Sequence, residues 1–201
     1  MDNPSRILEV ATRLFARQGF DGTPLQAIAA EVGVAKPTLL YHYPSKDDLH
    51  RAVLDNLFDH WRKVLPQLLE AVTSGRERFD ALTGELLGFF RADPDRARLV
   101  LREALDRPGE LRSRLAENLR PLVLLVGAYI QQGQASGRIH DDVEPEAYVL
   151  HVILLVVNGV ANFPALAGAL SSKATDAQEK YFAELSRFAR TALFKSTGRK
   201  R

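Results

Sequence analysis

Residues 23–46, TPLQAIAAEVGVAKPTLLYHYPSK, decide the fold. Thr23-Pro24 is expected to open a helix, since Thr is a good N-cap and Pro is favoured at the first helical position. Leu25, Ile28, Ala29 and Val32 recur at helical spacing and give that helix one apolar face. Gly33 breaks it after about two turns, as a glycine that tolerates the left-handed region does. Lys36-Pro37 starts a short helix running to about His42, and Ser45 caps the next, with Asp47 and Asp48 in the first turn where the helix dipole favours acids. Two short helices joined by a tight turn, with another packed beneath, make a helix-turn-helix. Its second helix fits a major groove about 12 Å wide.

A helix of roughly seven residues buries little by itself. Its inner side is Val34 and Leu39, with Tyr43 beside them, which leaves Lys36, Pro37, Thr38, Leu40, Tyr41 and His42 to project. Lys36 can reach guanine O6/N7 or a phosphate, and Thr38 can bond a base edge or touch a thymine methyl. Tyr41, His42 and Lys46 can donate to phosphates, which fixes register without reading sequence. The N–H groups around Thr23-Pro24 offer a helix N-terminus to a further phosphate. Plainer readings stand beside these. Pro37 also serves as a helix start, His42 as a solvated side chain and Lys46 as a surface charge, though a helix start disfavours a cation and so points to an external partner.

Outward from this stretch, the helical period persists. Ile7, Leu8, Ala11, Leu14 and Phe15 form an upstream stripe that Gly19 ends. Downstream, Leu49, Val53, Leu57, Trp61 and Val64 continue the capped helix to a kink at Pro66. Further helices are expected near 76–92, 94–106, 110–136, 145–162 and 177–195, with Asp93-Pro94 and Glu144-Pro145 as starts and Gly137 and Pro164 as breaks. Pro121 should kink or split the helix around it. The expectation is an all-α chain of about nine helices. A helix-turn-helix head spans residues 1–46, a larger helical ligand-binding and dimerisation domain residues 47–195, and a basic tail residues 196–201.

Composition excludes more than it selects. The 201 residues are 46% apolar, enough for a sizeable core, and contain no cysteine, which removes disulfides, thiolate metal sites and cysteine nucleophiles. Bulk charge does not argue for nucleic acid, because residues 1–50 hold five Lys/Arg against six Asp/Glu. The positive excess sits at the end of the chain, with six basic residues and no acidic one from Arg187 onward. There is no Gly-rich phosphate loop, no H-E-x-x-H and no G-x-S-x-G, so no enzyme, metal or cofactor is expected. Glu103 and Asp106, near Arg102 and Arg107, read as a solvated helix face. The greasiest run, Tyr148 to Ala161, falls short of the roughly 20 residues that span a bilayer, so a buried helix is expected, and the lack of cysteine fits a reducing cytoplasm, where the protein is expected.

Gly33 to Lys46, with Ala11, Phe15, Gly19, Thr23, Ile28 and Ala29 before them, resembles the signature of TetR-type bacterial transcriptional regulators. The match covers roughly residues 5–55 without a gap. It implies groove-facing Lys36, Pro37, Thr38 and Leu40, and phosphate contacts at Thr23, Tyr41, His42 and Lys46. Two departures are Ala35, where the family often has a Ser or Thr cap, and Leu40, where an aromatic is common. The resemblance further implies a homodimer on a palindromic operator of double-stranded DNA, repression relieved by a small molecule, and a four-helix interface from the last two helices of each subunit. Here Val152, Val156, Leu185, Phe188 and Ala192 are expected at that interface. The pocket guesses are Trp61, Phe89, Tyr129, His151 and Asn158, which mix large aromatics with polar groups on apolar helices. With no Arg or Lys cluster evident on those inner faces, the expected effector is a neutral or weakly charged hydrophobic molecule. The rival reading is a DNA-binding or protein-interaction factor without a ligand, and a roomy, partly polar cavity would separate the two.

Overall fold

The helical period carries through the chain as α1 (Asn3–Gln18), α2 (Leu25–Val32), α3 (Lys36–His42), α4 (Lys46–Ala71) and α5 (Gly75–Ala92). They are followed by α6 (Pro94–Asp106), α7 (Pro108–Arg114), α8 (Arg120–Ala135), α9 (Pro145–Leu166) and α10 (Ala174–Leu193). These come from a computed structural model that describes residues 3–71, 74–170 and 174–195. The expected basic tail, residues 196–201, lies outside the described residues. Among the described residues, extended pairing is limited to one antiparallel bridge between Ile139 and Phe194, which ties the turn after α8 to the end of α10.

The helix ends follow local chemistry. Ser45 Oγ accepts from the Asp48 N–H at 3.0 Å and donates to the Asp48 carboxylate at 2.7 Å, closing the start of α4. Asp93 caps α6 by accepting from the Asp95 N–H at 3.1 Å. Gly19 and Gly33 take φ of 76° and 82°, the left-handed region that stops α1 and α2. Thr23 departs from expectation. Pro24 occupies the N-cap of α2, while the buried Thr23 hydroxyl donates to the Gly19 carbonyl at 2.7 Å and closes the preceding turn.

The prolines act less abruptly than the sequence implies. Around Pro121 the helix neither kinks to a stop nor runs as one α-helix over 110–136. A π-helical stretch, Leu115–Leu119, joins α7 to α8. Pro121 has no N–H for the carbonyl of Glu117, and a wider turn just before it accommodates the missing bond. The α7–α8 rod is therefore continuous, giving nine helical rods among the described residues. Pro66 lies inside α4, and Pro164 inside α9, which ends two residues beyond it and not at 162. Buried neighbours, Leu65 and Leu69 in α4 and Phe163 in α9, hold those turns in place.

In the head, Ile7, Ala11, Phe15, Ile28, Leu39 and Leu49 are fully buried. The same apolar cluster runs on without a gap through Val53, Leu99 and Val156 to Phe182. Helix α1 packs against α6 as well as α2 and α4, so the head leans on the larger half. Helix α9 lies at the centre of that half, against α5, α6, α8 and α10.

Candidate functional site

The α2–α3 unit presents α3 outward. Leu39 is buried as its anchor, while Lys36, Pro37 and Thr38 are exposed and Tyr41 is 84% exposed. Leu40 and His42 are half-buried beside them, and the Tyr41 and His42 rings meet edge-on at 5.4 Å. Ala35 holds the N-cap without a side-chain bond, leaving the first N–H groups of α3 uncapped by any side chain. Tyr43 is half-buried, and that burial raises its phenol pKa above the usual 10.0. Six of the eight expected DNA-facing residues thus share one outward surface. Thr23 does not, because its side chain is fully buried. Lys46 is held from within, by the Asp21 carbonyl at 3.3 Å and over the Phe20 ring at 4.5 Å, so its place at a helix start needs no external partner to explain it.

Glu103 is not on a solvated face. His50 Nε2 and Glu103 Oε1 are 2.7 Å apart with both side chains 2% exposed. The other Glu103 oxygen is buried without a hydrogen-bond partner. Phe15 and Phe20 set their edges against the His50 ring, each with centroids 5.0 Å away. Arg107 stacks over Phe20 at 4.0 Å and pairs with Asp47 at 3.3 Å, and Arg17 of α1 reaches Asp95 of α6 at 3.3 Å. Around this buried polar contact between α4 and α6, Phe15, Phe20 and Arg17 of the head pack against the larger half. The sequence hides it, because residues 50 and 103 are far apart in the chain and each is ordinary on its own helix.

Between α4, α5, α8 and α9 lies a cavity of about 820 Å³. Trp61, Phe89 and Tyr129 line it, as expected. His151 and Asn158 do not. Both are exposed on the outer side of α9, where Asn158 donates to the Leu154 carbonyl at 3.0 Å. Thr83 and Tyr148 are cavity-lining polar residues whose hydroxyls donate inward, to Phe79 and Ala189 carbonyls at 2.7 Å each. Burial pushes the Tyr148 phenol far above its ordinary value. Arg76, Arg78, Arg138 and Lys195 also line the cavity, which overturns the expectation that its walls lack a basic cluster. The four come from three chain segments that meet only in the fold.

Several apolar side chains stand uncovered on the outer side of α9 and α10. Leu154 is 50% and Phe188 60% exposed, with Leu150, Leu155 and Ala192 beside them. Val152 and Val156, expected at an interface, point inward. Val152 lines the cavity and Val156 is fully buried, while Leu185 packs toward Gly159 within the same chain. A one-residue error in phase on a helix that is apolar nearly all round turns the wrong side outward. The apolar stretch is also longer than Tyr148–Ala161 implied. Pro145–Ala169 has the length and hydropathy to cross a membrane, although its inner side is packed in the core.

The description "Bacterial regulatory proteins, tetR family" fits residues 7–53, and "Tetracyclin repressor-like, C-terminal domain" fits residues 76–184. The chain is 32% identical over 152 residues to the HTH-type transcriptional regulator RutR of Escherichia coli K12, covering 75% of this chain and 68% of that protein. It is 35% identical over 95 residues to the HTH-type transcriptional regulator LmrA of Bacillus subtilis, spanning 47% of this chain and 50% of that one. Among solved structures, the ketosteroid transcriptional regulator KstR2 of Mycobacterium tuberculosis superposes with a TM-score of 0.71 at 16% identity, over 96% of this chain and 95% of that one. A TetR-family regulator from Agrobacterium tumefaciens gives 0.72 at 18% identity, over 96% and 98%. At these identities the structural likeness carries the fold, while the sequence matches carry the family. A helix-turn-helix head on a helical second half, matched in both parts, makes this chain a member of the TetR family of bacterial regulatory proteins: a DNA-binding transcriptional regulator and not an enzyme.

Proposed function

We propose that the chain is a ligand-responsive repressor. It acts in the cytoplasm as a homodimer on a palindromic operator and is released when a small, largely hydrophobic effector fills the interior cavity. The observation that carries this reading over a ligand-free DNA-binding factor is the cavity of about 820 Å³, well within the range of small-molecule sites. Two heads about 34–36 Å apart grip successive major grooves, and an effector that favours another spacing weakens that grip. A tenfold loss needs only about 1.4 kcal/mol of coupling.

Two struts fit the role of transmitter. On α4, Leu54 and Leu57 line the cavity one and two turns beyond His50. On α6, Val100 lines it, and Glu103 lies one turn further toward the head. The His50–Glu103 contact locks the struts together where they meet the head. The test is to sequence the genomic fragments that the purified protein retains, then to find which small molecules release them. An effector should raise the melting temperature with its concentration. It should lower operator affinity by the factor by which operator lowers its own. Cavity-binding molecules that leave operator affinity unchanged would return the constitutive binder as the better reading.

A further inference from the structure

The asymmetry of the cavity narrows the class of effector. At one end, Leu54, Leu57, Trp61, Phe89, Phe90 and Val100 form an apolar wall with no charge. At the other, the start of α5, the turn after α8 and the end of α10 bring Arg76, Arg78, Arg138 and Lys195 to the lining. Among the described residues no Asp or Glu lines the cavity anywhere. Arg76 donates to the Lys195 carbonyl at 3.2 Å and Arg138 to the Ser136 hydroxyl at 2.9 Å, neutral acceptors that position a guanidinium without cancelling its charge. Arg78 lies over the Tyr129 ring at 4.5 Å with its Nε on the Leu69 carbonyl at 3.1 Å, and Lys195 pairs with Asp141 at 2.7 Å. Arg76 and Arg138 are exposed, whereas Leu54 and Phe90 at the apolar end are buried.

Two hydroxyls elsewhere in the lining are already engaged within the chain. Thr83 and Tyr148 give their hydroxyl protons to backbone carbonyls. From these features we infer that the effector is an anionic amphiphile: an apolar chain lying toward α4 and α6, and a carboxylate or similar head held between Arg76 and Arg138. Guanidinium groups suit such a head, because their fork of N–H donors matches the two oxygens of a carboxylate. This inference rests on the ligand-responsive reading above and adds the charge of the ligand to it.

Three probes with one tail and different heads test it: decanoate, decanol and decyltrimethylammonium, titrated calorimetrically into the full chain below their micelle-forming concentrations. Decanoate should bind about tenfold or more tightly than decanol, and the cation most weakly. Removing the exposed pair, Arg76→Ala with Arg138→Ala, should bring decanoate down to the affinity of decanol and leave decanol unchanged. Decanol binding as tightly as decanoate would overturn the anionic head while the hydrophobic cavity reading stood. So would tighter binding of the cation, or a variant that lost both ligands equally. No heat and no thermal stabilisation from any of the three would overturn both readings together.

Discussion

At the residue scale, the proposed DNA contacts divide into side chains that would read sequence and side chains that would only hold. Lys36 and Thr38 are exposed on the first turn of α3, the part of a recognition helix that meets base edges. Lys36→Ala or Thr38→Ala should cost about 1–3 kcal/mol at particular operator positions and relax base preference there, as a binding selection on randomised operators would read. Lys46 should behave differently. As a phosphate ligand, its replacement in Lys46→Ala weakens binding on all sequences alike and lowers the salt slope by about one. Its internal hold on Asp21 and Phe20 offers a rival outcome: a less stable head with an unchanged salt slope. Salt titration of operator binding by the variant tells them apart, and an altered base preference would assign Lys46 to neither role. The outward residues were legible because a short helix with one buried anchor, Leu39, leaves few faces to choose from. Thr23 was not, because a hydroxyl beside a helix start bonds backwards as readily as forwards, and the Gly19 carbonyl was the nearer acceptor.

At the scale of the element, periodicity and caps located the nine helical rods among the described residues but could not say which of them touch. The pattern around Glu103 reads as an exposed face because Arg102, Asp106 and Arg107 surround it in sequence. In the fold α1 lies along α6 and covers that turn, so the carboxylate meets His50 in the interior. The element that joins the two halves was therefore illegible for a plain reason: its partners belong to different helices and pair only after packing. Truncation by Glu103→Ala leaves His50 Nε2 buried without its partner, and removing a buried partner costs about 1–3 kcal/mol. Urea denaturation should register that loss. The variant should also respond less to effector than the wild type when operator release is measured at saturating ligand, because α4 and α6 no longer move as one. Unchanged stability together with unchanged release would remove the His50–Glu103 pair from both roles.

At the scale of the whole molecule, the sequence identified α9 as apolar nearly all round and placed Phe188 and Ala192 outward as the structure has them, but it turned Val152, Val156 and Leu185 the wrong way. Val152 and Val156 satisfy the subunit's own core, and the residues left uncovered are Leu150, Leu154 and Leu155 of α9 with Phe188 and Ala192 of α10. His151 and Asn158 belong to that same outer face, which explains why they miss the cavity. Large apolar side chains gathered on one exposed face mark a surface that a partner can cover. Length and hydropathy alone would let α9 cross a membrane, yet its inner side is committed to α5, α6 and α8 and cannot also face lipid. The proposed second copy, pairing α9 and α10 across a two-fold axis, would cover both helices at once and set the two heads side by side. An obligate interface of this type buries on the order of 2,000 Å² or more. Leu154→Glu or Phe188→Glu places a charge on the exposed face without touching the subunit's core, so each variant should stay folded by circular dichroism. Each should sediment as a monomer at micromolar concentration and bind a palindromic operator far more weakly than the dimer, because one head then grips alone. Val156→Glu is the control, since a charge in the subunit core should unfold the chain rather than split a dimer. A wild-type chain that sediments as a monomer at that concentration would sink the two-headed arrangement and the spacing mechanism with it.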